Sequence, residues 1–160
     1  MFRVKADCNA QIEIKCSQSG TYDFFSEARN WVALLPSLES LTPERDGAWR
    51  WTVRAEVPML GAMRVPFRVE RAEIAPARIE YTPAPGEQQN YLRCVAAFSE
   101  LGLTTRISVA QALELRRPDA RALHPFAAMA GATRIGAEVQ RQMAVKLGEF
   151  LQAVRIRLEN

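Results

Sequence analysis

The N-terminal segment of the chain alternates apolar and polar side chains without a break. Every even-numbered position from Phe2 to Cys16 is apolar, and every odd-numbered position between them is polar. A period of two places successive side chains on opposite faces of a β-strand, so one face of this predicted strand is buried and the other faces solvent. At about 3.3 Å per residue such a strand would reach about 50 Å, so it must bend or curl around another part of the molecule.

Two short helices and six further strands are predicted after this first strand. The helices, Thr21–Phe25 and Ala28–Leu35, follow a Ser-Gln-Ser-Gly turn and end before Pro36. Glycine and proline turns separate the strands, and Asp46-Gly47 is a strong hairpin signal among them. The predicted strands are Leu38–Arg45, Ala48–Val57, a strand that contains Met63 to Ile74, Arg78–Thr82, Tyr91–Leu101 and Leu103–Leu115.

The alternation within the strand from Met63 to Ile74 changes phase. Up to Val69 its odd-numbered positions are apolar, whereas beyond Arg71 the apolar phase moves to Ala72 and Ile74. A β-bulge would produce this shift, and it would also accommodate Pro66, which cannot donate to a ladder. Strands that are this long and this consistently one-sided predict a strongly curved antiparallel sheet.

The last part of the chain is predicted to be one long amphipathic helix, from about Phe126 to Leu158. Apolar residues recur there every three or four positions, and charged residues cover the opposite face. At 1.5 Å per residue the helix would be about 50 Å long, enough to lie across the whole sheet. Its glycines, Gly131, Gly136 and Gly148, either weaken it or let it approach the sheet closely. Because no repeat, linker or composition break is present, residues 1–160 are expected to form a single domain.

A pocket is expected between the sheet and the helix, because a curved layer and a straight rod cannot touch along their whole length. Its lining would be mostly apolar with few polar groups, which is the usual composition of a small-molecule site. The predicted lining residues, taken from the inward-facing sets, are Trp49, Trp51, Val53, Met63, Val65, Phe67, Tyr81, Leu92, Cys94, Phe98, Val109, Gln111, Met129 and Met143.

Three polar side chains in or near this pocket have two interpretations each. Gln111 is the one polar residue in the inward set of its strand, and it would either orient a ligand or bind a neighbouring protein group. Tyr81 and His124 are the candidate catalytic acids. Tyr81 would otherwise fill space in the core, and His124 would otherwise be a surface residue at a helix entrance. Arg93 is expected to point away from the pocket.

The composition argues against several classes of protein. The net charge is +3, but the arginines are dispersed among acidic residues, so no nucleic-acid-binding surface is expected. The apolar runs are far shorter than the ~20 residues of a membrane span, and no signal peptide is recognisable, so a cytoplasmic protein without a transmembrane segment is expected. Cys8, Cys16 and Cys94 are predicted to be reduced thiols. A single histidine excludes a histidine-cluster metal site, and no cofactor motif is present, so neither a metal nor a cofactor is expected.

The order of elements and one stretch of local sequence resemble a known superfamily, the START-like (SRPBCC) superfamily. Thr21–Phe25 followed by Trp31–Leu41 resembles a stretch found in two of its branches, the polyketide cyclases/dehydrases and the accessory G-type proteins of carbon monoxide dehydrogenase. Trp49–Val57, Met63–Val69 and Thr105–Val109 fall where those families place strands, so the resemblance covers essentially the whole chain. It implies an α+β helix-grip fold: a curved seven-stranded antiparallel sheet wrapped around a long C-terminal helix, with two short helices after strand 1.

The resemblance and the expected pocket together favour binding of a hydrophobic or aromatic small molecule that is lipid-, quinone- or polyketide-like. Gln111 and Tyr81 are expected to orient it. One alternative is a polyketide cyclase/aromatase-type enzyme that uses Tyr81 or His124 as an acid. The other is an accessory protein, similar to that of carbon monoxide dehydrogenase, that binds a partner oxidoreductase or a membrane surface through the C-terminal helix.

Overall fold

A seven-stranded antiparallel sheet forms the frame of the molecule in the computed structural model, which describes residues 1–160. The strands are β1 (Phe2–Ile14), β2 (Leu38–Pro43), β3 (Trp49–Val57), β4 (Gly61–Ile74), β5 (Arg78–Pro83), β6 (Asn90–Leu101) and β7 (Thr104–Arg117). The helices are α1 (Gln18–Ser26), α2 (Ala28–Leu34), α3 (Ala127–Ala130) and α4 (Ala132–Glu159). The strand order is β1-β7-β6-β5-β4-β3-β2, so the first two strands of the chain are the two edges of a curved, unclosed sheet.

The predicted first strand is confirmed as β1, which pairs with β7 from Phe2↔Arg117 to Ile14↔Thr105. Its even-numbered side chains face the core, and Val4 and Ile14 are fully buried. The strand ends two residues earlier than the alternation predicts. The chain leaves the sheet there because Ser17 is the N-cap of α1 and its hydroxyl accepts a hydrogen bond from the Gly20 N–H.

The prediction of a bulge in β4 is wrong. The pairing of β4 with β5 runs without a register shift from Val69↔Pro83 to Ile74↔Arg78, so Arg71 keeps the inward phase of Val69. Pro66 is tolerated for a different reason. It precedes the stretch that pairs with β5, and its carbonyl accepts from the Asn90 side chain on that side, so no strand requires an N–H from it there.

The prediction of a single terminal helix is also wrong at its start. Gly131 separates α3 from α4 with a φ of 82° and a ψ of 147°, a conformation that a glycine adopts without strain. The apolar stripe of α4 is confirmed, and it packs against the concave face of the sheet through Ile135, Leu147, Phe150, Leu151 and Val154.

Helix α4 also covers the free edge of β1. The backbone N–H of Asp7 donates to Gln140 Oε1 over 3.1 Å, and that of Lys15 donates to Glu159 Oε2 over 2.8 Å. These bonds satisfy groups that an exposed edge strand would offer to another chain. On its other flank α4 reaches β3, so the helix lies between the two margins of the curled sheet. None of the helices combines the length and the apolar character that a membrane crossing requires.

Candidate ligand-binding cleft

An aromatic cluster fills the part of the concave face beneath α1 and α2. Trp31 of α2 stacks on Phe150 of α4 with ring centroids 5.1 Å apart, and it meets the edge of Trp51 at 5.6 Å. The ring of Tyr81 lies 5.0 Å from that of Trp51. Such pairs stabilise a core beyond the area that they bury. Three of the predicted lining residues therefore pack inside a solid cluster, and they are Trp51, Tyr81 and Phe98.

Four other predicted residues are buried side by side on the concave face of β6 and β7: Leu92, Cys94, Val109 and Gln111. Arg93 is exposed, so the inward register predicted for β6 is confirmed. The Gln111 amide donates to the Cys94 sulfur over 3.6 Å, which gives the buried amide a partner within the protein. Burial raises the pKa of the Cys94 thiol to about 12.

An open cleft remains where the margin of β3 faces α4. Its volume is about 290 Å³, and its apolar walls come from Val53 and Ala55 of β3, Leu113 of β7, and Val139 and Met143 of α4. Its mouth is polar and carries Ser37, Arg54, Glu56, Gln142 and Lys146. The curvature mismatch thus leaves space only at this margin, because α1, α2 and their aromatic side chains fill the rest.

An apolar recess of about 40 Å³ continues the cleft into the core. It shares Val53, Ala55, Leu113 and Val139 with the cleft, and every residue that lines it is apolar. Three of the predicted lining residues, Met63, Val65 and Phe67, form its far wall. The recess has room for little more than a methyl group, whereas the cleft exceeds the cavity of about 150 Å³ that holds benzene in an engineered protein core.

The side chain of Gln142 crosses the seam between α4 and β3 next to the cleft. The backbone N–H of Glu56 donates to Gln142 Oε1 over 3.2 Å, and Gln142 Nε2 donates to the Glu56 carbonyl. These backbone groups are available because β2 pairs with β3 only as far as Val53. We call the paired Gln142 side chain and Glu56 backbone the strap.

Glu138 supports the strap from the preceding turn of α4. Its carboxylate accepts from Gln142 Nε2 over 3.1 Å and from two nitrogens of Arg141 over 2.6 and 3.1 Å. The hydrogen bonds from Arg141 and Gln142 lower the pKa of Glu138 to about 2. The Glu138 carboxylate is therefore ionised at neutral pH and holds the Gln142 amide in place.

Arg71 is a buried cation whose inward position the apolar pattern did not reveal. Its side chain is 7% exposed, lies 5.0 Å from the Trp49 ring and 5.8 Å from the Tyr81 ring, and pairs with Glu73 over 2.6 Å. Arg71 Nε and the Tyr81 hydroxyl are buried without hydrogen-bond partners in the protein, and burial raises the pKa of Tyr81. The signal for Arg71 was its parity with Phe67 and Val69, which the predicted bulge obscured.

The remaining predicted residues lie outside the cleft. Trp49 is half-buried beside Arg71. Met129 is 70% exposed because α3 ends at Gly131 and does not continue the stripe of α4. His124 precedes α3, where its Nδ1 accepts from the Phe126 N–H. The cleft therefore combines Val53, Met63, Val65, Phe67 and Met143 with residues that were not predicted, among them Ser37, Val139, Gln142 and Lys146.

A curved antiparallel sheet closed by one long helix, with two short helices after the first strand, is the START-like helix-grip fold. Solved structures with this fold show the match directly. A START superfamily protein from Mycobacterium smegmatis is 14% identical with a TM-score of 0.62, and the match covers 96% of this chain and 97% of that chain. A protein from Deinococcus radiodurans is 17% identical with a TM-score of 0.67, and the match covers 96% and 98%.

The di-domain ARO/CYC BexL from the BE-7585A biosynthetic pathway is 16% identical with a TM-score of 0.67. The match covers 98% of this chain and 51% of BexL, so the chain spans about half the length of that protein. No family profile and no curated protein matches the sequence. At these identities the similarity shows the fold, which confirms the helix-grip architecture that the sequence resemblance implied.

Proposed function

We propose that the chain binds a hydrophobic or aromatic small molecule in the cleft between β3 and α4. The observation that carries this proposal is the continuity of the 290 Å³ cleft with a wholly apolar recess behind it. Desolvation supplies about 25 cal/mol per Å² of apolar surface, so burial of about 200 Å² would favour binding by about 5 kcal/mol before the loss of ligand freedom is subtracted. A lipid-, quinone- or polyketide-like molecule fits this lining.

Polar groups at the mouth would orient the ligand. Ser37, Gln142 and Lys146 lie where the polar end of a ligand would leave the apolar walls. They replace Gln111 and Tyr81 as our proposed orienting residues, because Gln111 binds Cys94 and Tyr81 lies in the aromatic cluster. We also propose that residues 1–160 act as one binding domain, since all seven strands belong to one sheet. A cytoplasmic location belongs to the same proposal, because free thiols at all three cysteines suit a reducing compartment.

A fluorescence titration with 1-anilinonaphthalene-8-sulfonate tests the proposal. Val139→Trp should fill the cleft and weaken binding of this probe by about tenfold or more, which corresponds to about 1.4 kcal/mol. Val145→Trp is the matched control, because Val145 is an exposed valine of the same helix outside the cleft. Equal affinity in Val139→Trp and Val145→Trp would contradict the cleft as the binding site. Native mass spectrometry of the purified protein would additionally detect a co-purified ligand.

A cyclase/aromatase-type enzyme is the second candidate, and the structural match to the ARO/CYC BexL favours it. Tyr81 would be the acid in this proposal, although its hydroxyl is buried and its pKa is raised. The variant that combines Tyr81→Phe with His124→Ala should then bind a polyketide-like substrate normally and lose turnover. Normal turnover in this variant would contradict the assignment of both residues.

An accessory role beside an oxidoreductase, of the carbon monoxide dehydrogenase kind, requires an exposed apolar stripe on α4 beyond Val154. Val154 is buried, Ile156 is 64% exposed and Leu158 is partly buried. A single exposed isoleucine is ordinary for a protein surface, so this helix end offers weak support for a docked partner. A pull-down that yields a partner in stoichiometric amount would favour the accessory role over the two proposals above.

A further inference from the structure

A second depression lies on the other side of the strap, along the same seam. Its volume is about 360 Å³, and Pro58, Met59, Ala130, Arg134 and Ala137 are among the residues that line it. Val57 and Ile135 line both this outer depression and the apolar recess. The cleft, the recess and the outer depression are therefore neighbours, and the strap crosses the surface between the two larger spaces.

The three spaces follow α4 in a line. The outer depression reaches Arg134 and Arg141, whereas the mouth of the cleft reaches Lys146. The twelve-residue step from Arg134 to Lys146 corresponds to about 18 Å of helix at 1.5 Å per residue. A compact ring system would occupy only one of the two larger spaces, whereas an extended chain would occupy both and contact the recess between them.

The bonds of the strap suit a crossing that opens. Gln142 is bound to β3 through its side chain alone, and the bonds to Glu56 lie at the protein surface, where water replaces them when they break. Opening therefore exposes no unsatisfied buried group. The lining supports an amphiphile, because the recess is wholly apolar and cations stand at both ends of the line, Arg134 at one end and Lys146 at the other.

We propose that the β3–α4 seam is one continuous groove for an elongated, single-chain anionic amphiphile, which lies beneath the strap with its chain against the recess. The proposal rests on the proposed binding function and narrows it from hydrophobic small molecules in general to extended chains. Opening of the strap admits the chain, and its closure over the chain slows release.

Two anionic probes of different shape test this inference. The linear probe is cis-parinaric acid, a conjugated fatty acid, and the compact probe is 1-anilinonaphthalene-8-sulfonate. Ala137→Trp fills the outer depression, and Ala144→Trp is its control, because both alanines are exposed on α4 and only Ala137 lines the depression. We expect Ala137→Trp to weaken cis-parinaric acid about tenfold and to leave the compact probe within about twofold, while Ala144→Trp changes neither.

The strap is tested separately by stopped-flow association of cis-parinaric acid. Gln142→Ala should accelerate association several-fold, while Gln152→Ala, at an exposed glutamine of the same helix, should not. Circular dichroism of each variant verifies that it is folded. Binding of the compact probe together with cis-parinaric acid binding that Ala137→Trp leaves unchanged would overturn the groove and leave the proposed function intact. Failure of both probes to bind the wild-type protein would overturn the proposed function and the groove together.

Discussion

The carbonyl oxygen of Lys5 lies 2.6 Å from the point that a β-carbon on Gly136 would occupy. The backbones of α4 and β1 meet there almost directly, and α4 covers the free edge of β1 from this point to Glu159. Glycine is required at the crossing because real β-carbons do not approach another atom that closely. For Gly136, this confirms one of the two interpretations of the helix glycines, namely that they allow close packing against the sheet.

The first prediction concerns this contact. Gly136→Ala should lower the free energy of unfolding by about 1–3 kcal/mol, because the Lys5 backbone must shift to make room. Gly148→Ala is the matched control, since its β-carbon would meet nothing within 4 Å. It should raise the free energy of unfolding by about 0.5–1 kcal/mol through helix propensity. Urea denaturation measures both, and destabilisation of equal size in the two variants would contradict the close contact.

The buried hydroxyl of Tyr81 gives a second prediction. Because this hydroxyl has no hydrogen-bond partner in the protein, Tyr81→Phe should stabilise the fold by about 1 kcal/mol. Tyr91→Phe should instead be neutral or slightly destabilising, because the Tyr91 hydroxyl accepts from Arg116 over 3.3 Å. Thermal and urea unfolding of the two variants provide the comparison. A clear loss of stability in Tyr81→Phe would show that the hydroxyl has a partner in solution.

The three thiols are predicted to react at different rates. Cys94 is fully buried and its pKa is about 12, so only about one molecule in ten thousand carries its thiolate at pH 8. Cys8 is less buried, and its pKa is raised by burial and by Asp7. Iodoacetamide labelling followed by peptide mass spectrometry should therefore modify Cys94 last in the native protein. All three should react in guanidinium chloride. Early labelling of Cys94 under native conditions would contradict the packing of β6 against α4.

The support that Glu138 gives to the strap should depend on pH. The pKa of Glu138 is lowered from 4.5 to about 2, so its ionised form stabilises the folded protein above about pH 4.5, and this contribution is lost as the pH falls towards 2. The difference in urea midpoint between the wild-type protein and Glu138→Gln should be full at pH 7 and should shrink steadily below pH 4.5. A difference that is constant from pH 7 to pH 2 would show that the charge of Glu138 is not its source. Glu149→Gln, an exposed pair with Lys146 at 3.8 Å, serves as the control for loss of a surface carboxylate.

Most of the sheet was predictable because strand faces obey a local rule. The alternation in β1 needs only neighbouring residues to predict a buried face, and β6 and β7 follow the same rule. The rule failed in β4, where Arg71 occupies an inward position. Its charge is accommodated by Trp49, Tyr81 and Glu73, which lie on other parts of the chain or on the next inward position, so a pattern of apolar residues does not predict it.

The location of the cleft was only partly predictable. Val53 and Met143 were assigned to it because both lie on inward faces, and they do line it. Tyr81 and Phe98 were assigned for the same reason, yet they pack in the aromatic cluster. Inward direction is a property of one strand, whereas empty space depends on which distant side chains reach the same point.

The sequence by itself determined the strands, their buried faces, the amphipathic C-terminal helix and the helix-grip order, because each follows from periodicity and turn chemistry within a short window. Only the tertiary structure decided where the curved sheet stays unfilled. Trp31 and Phe150 are far apart in the chain but stack at 5.1 Å and close one part of the concave face. Gln142 and Glu56 meet across the other margin and define its cleft. Such contacts join distant segments, and no local pattern encodes their distance.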